Sequence, residues 1–489
     1  MFFKIKSNIQ FRNYENYGYI TDDRNFRYVE GETIGDRIVS ESGACFLSCL
    51  TKEPQDLEDI LVKVQRFYPD CDAKILSSDL VIFLSELEKE GFLCSGTTFA
   101  ECDSKDYSFS YQDKKITRKY KPRNDLPETL DFLEKNEGKV SSLVSVHLEV
   151  TSRCNERCVH CYIPHDKKNR TLNVKDIFSI LKQCRELNVL HVTISGGEPL
   201  LHPGIVKILR KCREYDFSVS VLTNLTHISP EIIEEMKKNK LLGVQTSLYS
   251  MLPAVHDAIT SLKGSCEKTK QSILTLIKAN VPMQINCPIM EQNKDSFFEV
   301  IEWAKELGIA SSYDFSLIGS YDSNNGNLAD RLTMAELKTI LKKQIEKDKN
   351  LLNLLKKEEK TKDGESPEDP ICSVGTSSLC ISETGIVYPC VGWQSFQVGS
   401  IFENTLAQIW ENSPQLNKLR ALRKKDFPTC LNCENKSFCT MCMVRNANEN
   451  GEGNYLNVNV YFCDLVKLKK ELLRHSQRLT TPSPTRSRA

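Results

Sequence analysis

The stretch Cys154-Asn-Glu-Arg-Cys158-Val-His-Cys161-Tyr162 constrains this chain more than any other. Its C-x3-C-x2-C spacing can set three thiolates on one small loop, enough to hold three irons of a [4Fe-4S] cube and leave the fourth iron open. A cube held by four cysteines is suited to moving electrons, whereas one held by three can bind a small molecule at the free iron. An apolar strand, Val146 to Val150, leads into the loop. Taken alone, the spacing also fits a zinc knuckle or three packing cysteines.

The 489 residues are too many for one ordinary domain, and 65 Lys and Arg balance 65 Asp and Glu. That balance points to neither a nucleic-acid coat nor a membrane-surface binder. No apolar run is long enough to span a bilayer, and Met1-Phe-Phe-Lys-Ile-Lys lacks the apolar core of a secretory signal, so a cytoplasmic protein is expected. Disulfides do not persist in a reducing cytosol, so many of the 20 cysteines read as metal ligands.

From residue 144 to 320 strand and helix patterns alternate. Strands are expected at 146–151, 189–195, 217–223, 243–248, 283–289 and 313–318, with helices near 174–187, 203–215, 230–240, 266–279 and 295–307. Right-handed crossovers then give a parallel sheet curled into a partial (β/α)6 barrel, an α/β fold whose reactive groups gather at the carboxyl ends of the strands. Polar motifs fall at those ends. Ser195-Gly196-Gly197-Glu198-Pro199 closes the second strand, Asn224 follows the third, Ser247 ends the fourth and Asn286 lies on the fifth. Glycines let a backbone approach a ligand closely, and a carboxylate can accept a hydrogen bond from an amine.

The cysteine loop together with these motifs resembles the radical S-adenosylmethionine (SAM) enzymes. The resemblance implies that Cys154, Cys158 and Cys161 hold the cluster whose open iron is chelated by SAM, and that reductive cleavage of SAM gives a 5'-deoxyadenosyl radical. It places Gly196, Gly197, Glu198 and Pro199 at the SAM amino group, Asn224, Ser247 and Asn286 along its methionine and ribose parts, and Tyr162 near the adenine. His160, His202 and His256 receive no role, His160 reading as a solvated loop residue.

Residues 1–100 read as a hairpin within 15–40, then three helical patterns (Ala44 to Leu50; Leu57, Ile60, Leu61, Val64 and Phe67; and one from Ser77 or Ser78 through Leu80, Phe83, Leu84 and Leu87 to Gly91), then a closing strand at Phe92-Leu93. That order predicts a small winged-helix domain. With 11 Lys and Arg against 17 Asp and Glu it lacks the basic face a DNA reader needs. It is similar to the precursor-recognition domain of peptide-modifying enzymes, which binds the leader of a ribosomally made peptide as an added strand. Residues 101–143, with the basic run Arg118 to Arg123, read as a linker ending in a short helix.

Residues 321–371 form a connector with a helix from Thr333 to Lys357, and a second cysteine field occupies 372–465: Cys372, Cys380, Cys390, Cys430, Cys433, Cys439, Cys442 and Cys463. The spacing resembles the SPASM extension, except that two residues rather than three separate Cys439 from Cys442. The resemblance implies an inner auxiliary cluster on Cys372, Cys390 and Cys442 and an outer one on Cys430, Cys433, Cys439 and Cys463. Cys380, in apolar Leu379-Cys380-Ile381, fits either a fourth inner ligand or a packing residue. Trp393 and Trp410 are expected to pack this region on the barrel, and residues 466–489 end as a helix and a Pro/Ser/basic tail.

A peptide maturase is thereby implied, with three [4Fe-4S] clusters (one SAM-binding, two auxiliary), SAM, a precursor peptide bound through its leader, and an external electron donor such as flavodoxin or ferredoxin. Neither membrane nor nucleic acid is expected as partner. The preferred product is a cysteine thioether crosslink. Carbon-carbon crosslinking, epimerisation, sulfatase maturation and an iron-sulfur winged-helix redox regulator are the rivals.

Overall fold

A computed structural model describes residues 1–14, 16–25, 33–112, 142–347, 366–372, 374–439, 441–450 and 453–480. The basic run at 118–123, the end of the linker, the second half of the connector helix and the tail from 481 lie outside the described residues.

The barrel sheet follows from two patterns. In β7 (Ser145–Thr151), Val146, Leu148 and Val150 are buried in the main core, so His147, Glu149 and Thr151 share the opposite, inner face. The strands β8 (His191–Gly196), β9 (Ser218–Thr223), β10 (Leu242–Ser247), β11 (Met283–Pro288) and β12 (Ala310–Asp314) follow in parallel, in the order β12-β11-β10-β9-β8-β7. Amphipathic helices between them bury Ile177, Ile180, Leu181, Ile208, Leu209, Ile273 and Leu276 on its outer face.

The sixth strand lies at 310–314 instead of 313–318. Gly308, in the left-handed conformation (φ 70°), ends helix Phe298–Leu307, the strand begins two residues later, and the Asp314 carboxylate accepts from the Ser316 N–H, turning the chain away. A helix the sequence did not disclose, Pro253–Thr260, follows β10.

The free edge of β7 is occupied by the C-terminal region. There β13 (Ser378–Ile381) pairs parallel to β7 and continues antiparallel into β14 (Ile386–Tyr388) and β15 (Gly399–Ser400), making one nine-stranded sheet. Trp410 joins the main core as expected of it. Trp393 does not: it packs with Met443, Val444, Cys390 and Cys442 in a separate C-terminal cluster.

The N-terminal region holds two three-stranded antiparallel sheets, β1 (Phe2–Ile5) between β5 (Gln55–Asp56) and β6 (Leu93–Gly96), and β3 (Tyr17–Asp22) between β2 (Ile9–Asn13) and β4 (Asp36–Ser40). Helices Glu41–Ser48, Leu57–Gln65 and Ala73–Glu90 lie between them, the last capped by Asp72 and stopped by Gly91 at φ 97°. Strands β1 and β2 and the short helix Phe99–Ser104 were not foreseen.

Candidate functional site: two cysteine fields and the cavity between them

The cysteine loop leaves β7 at Thr151 and is held from three sides. Ser152 N–H and Thr151 Oγ1 both donate to the Arg170 carbonyl at 2.9 Å. Arg157 N–H donates to Thr260 O at 2.9 Å and Val159 N–H to Ile259 O at 3.0 Å, which gives the unforeseen helix its purpose. From β8, Gly197 N–H donates to Thr151 O at 2.7 Å and Glu198 N–H to Arg153 O at 2.8 Å.

The double glycine thus serves a close approach of strand end to loop. A Cβ on Gly196, whose φ is +134°, would meet Thr151 O at 2.0 Å, and one on Gly197 would meet Ser152 O at 2.3 Å and Arg153 O at 2.4 Å. No side chain fits either position.

Glu198 is buried and gathers three donors: Thr223 Oγ1 at 2.7 Å, Leu200 N–H at 2.9 Å and Asn224 N–H at 2.7 Å. Burial nonetheless pushes its carboxyl up to about 7. A carboxylate has about four acceptor positions, so one remains for a ligand amine. Pro199 opens the short turn that follows. Asn224 reaches the loop, donating to Asn155 Oδ1 at 3.0 Å and lying 4.0 Å from Cys154 Sγ. Ser247 and Asn286 sit side by side across β10 and β11, and Asn286 accepts from Ser312 Oγ. Tyr162 is half-buried and donates through its hydroxyl to Glu149 Oε1 at 3.3 Å.

His160 is half-buried and tied rather than free in solvent: its Nε2 bonds the Tyr249 hydroxyl at 3.0 Å, and burial lowers its pKa to about 4. His202 ties Leu172 O and Gly204 N–H, and His256 Nδ1 accepts from Tyr249 N–H, so both are structural.

Within the loop, Glu156 N–H donates to Cys154 Sγ at 3.4 Å and Cys158 Sγ to Glu156 Oε2 at 3.3 Å. Burial, Glu156 and the neighbouring Cys161 and Cys154 hold the Cys158 thiol well above its ordinary range. Among the described residues Glu156 Oε1 is buried without a hydrogen-bond partner. Three soft donors beside an unsatisfied buried oxygen fit a site that takes a further group.

Seven of the eight C-terminal cysteines sort into two groups by proximity. Burial, then the sulfurs of Cys442 and Cys372, pushes Cys390 up to about 12. Burial, then Cys439, Cys463 and Cys433, pushes Cys430 up to about 11. The second group, with Cys372 of the first beside it, lines a cavity of about 390 Å³ with apolar walls including Phe427, Leu431 and Val466. A thiolate-lined void of this kind fits a soft metal cluster. Despite the shortened gap, Cys442 lies with Cys390 and Cys372 as the cap of helix Met443–Glu449. Cys380 is buried on β13 directly beside His147 of β7 and Tyr388 of β14, so it shares their inner face; Glu149 and Cys390 are among the charges that raise its pKa.

Between the two fields lies a cavity of about 540 Å³, walled by Glu149, Thr151 and Gly196 of the barrel, Tyr321 after it, and Glu383, Tyr388 and Gln394 of the C-terminal region. Glu149, Glu383 and Gln394 were invisible to sequence reasoning, because only the pairing of β13 with β7 brings them together.

Residues 148–320 match the family model of the Radical SAM superfamily, and 372–434 that of the SPASM iron-sulfur cluster-binding domain. The chain therefore carries a radical SAM domain followed by a SPASM domain, and those domains imply SAM and iron-sulfur clusters at sites whose residues fit them. Relatives include the AdoMet-dependent heme synthase of Methanosarcina barkeri, 27% identical over 326 residues (61% of this chain, 90% of that one). The antilisterial bacteriocin subtilosin biosynthesis protein AlbA of Bacillus subtilis is 26% identical over 313 residues, 62% of this chain and 67% of that one. The crystal structure of Streptococcus suis SuiB bound to precursor peptide SuiA has 16% identity and a TM-score of 0.57, and covers 93% of this chain and 99% of that one. No helix among the described residues is long and apolar enough to cross a membrane.

Proposed function

We propose that this enzyme is a peptide maturase that crosslinks a ribosomally made precursor, forming a cysteine thioether. The observation that carries the reading is the cavity of about 540 Å³ reached by Gly196 and Thr151 on one side and by the hairpin bearing Cys380 on the other. A substrate residue held there would stand between the strand end that carries the double glycine and the hairpin that carries Cys380. The printed names of two similar proteins, one a bacteriocin biosynthesis protein and one crystallised with a precursor peptide, support a peptide as substrate.

Cys154, Cys158 and Cys161 would hold the SAM cluster, which supplies radical initiation when bound. Glu198 offers its remaining acceptor position to the SAM amino group, Asn224 stations its amide beside the loop, and Ser247 and Asn286 line the inner face. Cys372, Cys390, Cys442 and Cys380 would hold the inner auxiliary cluster, and Cys430, Cys433, Cys439 and Cys463 the outer one. The protein's own contribution is position and exclusion of water. Residues 1–100 would bind the leader, and a flavodoxin or ferredoxin would supply the initiating electron.

The relation to a heme synthase makes a tetrapyrrole the second reading. Anaerobic reconstitution, incubation with SAM, dithionite and either candidate precursor peptides or porphyrin, and mass spectrometry separate the two. A peptide lighter by two hydrogens with fewer free thiols, unchanged by a disulfide reductant, establishes the thioether, and the same loss with thiols intact a carbon-carbon bond. Solvent deuterium without net loss means epimerisation, and a changed porphyrin with untouched peptides overturns the peptide reading.

A further inference from the structure

Glu149 is 2% exposed, yet no cation pairs with it among the described residues. Its two hydrogen bonds are long and come from neutral donors, Tyr162 Oη at 3.3 Å and Gln394 Nε2 at 3.3 Å. Buried carboxylates are ordinarily paired, and leaving one without a cation is costly. This one faces the cavity between the SAM motif and the auxiliary cysteines.

Closing a crosslink there releases a proton, and of the carboxylates in the wall Asp166 and Asp322 are exposed and Glu383 half-buried, so Glu149 is the one held out of water. SAM and its cluster, when bound, would supply the radical chemistry that takes a hydrogen atom from a substrate carbon. A thiol on the same peptide that bonds that carbon would break its S–H bond, form the C–S bond and release one proton, and a bound auxiliary cluster would take the one electron left over. Lys167 and Arg170 in the cavity wall are cations and cannot take the proton. Given the crosslinking reading above, we propose that Glu149 is the base that takes up this proton and that Glu383 passes it to the cavity mouth.

Glu383 stands at the half-buried turn between β13 and β14, where Arg170 and Ser152 partner it and the cavity opens. Its charge, after burial, raises Glu149 to about 7, which suits a group that must accept a proton and later release it near neutrality. The ionisable groups facing this pair are Tyr162 from the cysteine loop, Asp166, Lys167 and Arg170 after it, Tyr321 and Asp322 after the barrel, and Cys380 and Tyr388 from the hairpin.

The test uses reconstituted holoenzyme with SAM, dithionite and the peptide that the wild type crosslinks, deuterated at the attacked carbon. In Glu149→Gln, deuterium should still reach 5'-deoxyadenosine while crosslinked product per 5'-deoxyadenosine falls roughly 100-fold, the scale of a lost general base. Glu149→Asp should restore part of it. Glu383→Gln should move the pH midpoint of crosslinking downward, because a like charge is removed. In cluster-free protein carrying 13C-carboxyl glutamate, the Glu149 resonance, assigned by its absence from Glu149→Gln, should titrate near 7 and lower in Glu383→Gln. Wild-type crosslinking by Glu149→Gln, equal loss of deuterium transfer and product, or a midpoint unmoved by Glu383→Gln overturns the proposal. If the wild type crosslinks no peptide at all, it is the function above that fails.

Discussion

Arg12 donates through Nη2 to the main-chain carbonyl of Asp216 at 2.8 Å, and its Nη1 lies 3.6 Å from the Asp216 carboxylate. The same fully buried guanidinium bonds Val189 O through Nε and Nη2, at 3.1 and 3.0 Å, while Gln10 bonds Leu190 O and Asp216 O. These carbonyls precede β8 and β9, so the N-terminal region is fastened to the amino ends of the barrel strands, opposite the cysteine loop. Removal of residues 1–100 would bare Val144 and Leu190, which pack against Tyr19, and is therefore a poor test of leader binding.

Arg12→Ala is a more measured cut. It leaves the Val189 carbonyl without the guanidinium that caps it and the Asp216 carbonyl with Gln10 alone, and should lower stability by about 3–5 kcal/mol. Arg12→Lys should rescue little, since an ammonium cannot span three carbonyl bonds in a planar fork. Urea unfolding of both variants measures this, and a loss below about 1 kcal/mol for Arg12→Ala would contradict the docking.

Gly197→Ala addresses the SAM-cluster loop. The added Cβ would stand 2.3 Å from Ser152 O and 2.4 Å from Arg153 O, both backbone atoms that cannot swing away. The loop must move, and with it Cys154. After anaerobic reconstitution the variant should carry about four irons fewer than wild type, the content of one cube, and form no 5'-deoxyadenosine. Wild-type iron and SAM cleavage would refute the close-approach account.

Stability should depend on pH with an uncommon sign. Burial raises Glu149 from an ordinary 4.5 to about 7. Between those values the folded chain keeps a proton that the unfolded chain has lost, so stability falls as pH rises through that window. Glu149→Gln removes its share, on the order of 3 kcal/mol by pH 7. Glu156 and Glu198, also raised to about 7, retain theirs, so the variant's slope should flatten without vanishing. Urea midpoints of cluster-free protein at pH 5 and 7 give the comparison, and equal slopes would place Glu149 in a more polar site.

Much of the fold was legible because its evidence is local. Val146, Leu148 and Val150 alternate, Gly91 stops a helix, and the cysteine spacing declares its chemistry within a few residues. What escaped depended on distant partners. Strand β2 reads as weakly apolar Ile9-Gln10-Phe11-Arg12, and nothing nearby reveals that Gln10 and Arg12 are buried against carbonyls some 177 or more residues away. Glu149 looks like an outward strand residue until β13 arrives beside β7. Helix Pro253–Thr260 was masked by its opening proline, which sits at the first helical position and reads equally well as a turn.

Cys380 is the position on which sequence reasoning was evenly divided, and its placement allows a decision by experiment. Paired with Tyr388 and His147 on the inner face, its sulfur is grouped with Cys390, whereas Leu379 and Ile381 on either side enter the main core. A packing cysteine would be expected on the core face with those two; the opposite placement favours ligation. Cys380→Ala should therefore keep close to wild-type iron, since three thiolates can still hold a cube, but change the electron paramagnetic resonance of the reduced inner cluster and open an iron to added small thiols. An unaltered spectrum, insensitive to thiol, would return Cys380 to the role of a buried hydrophobe.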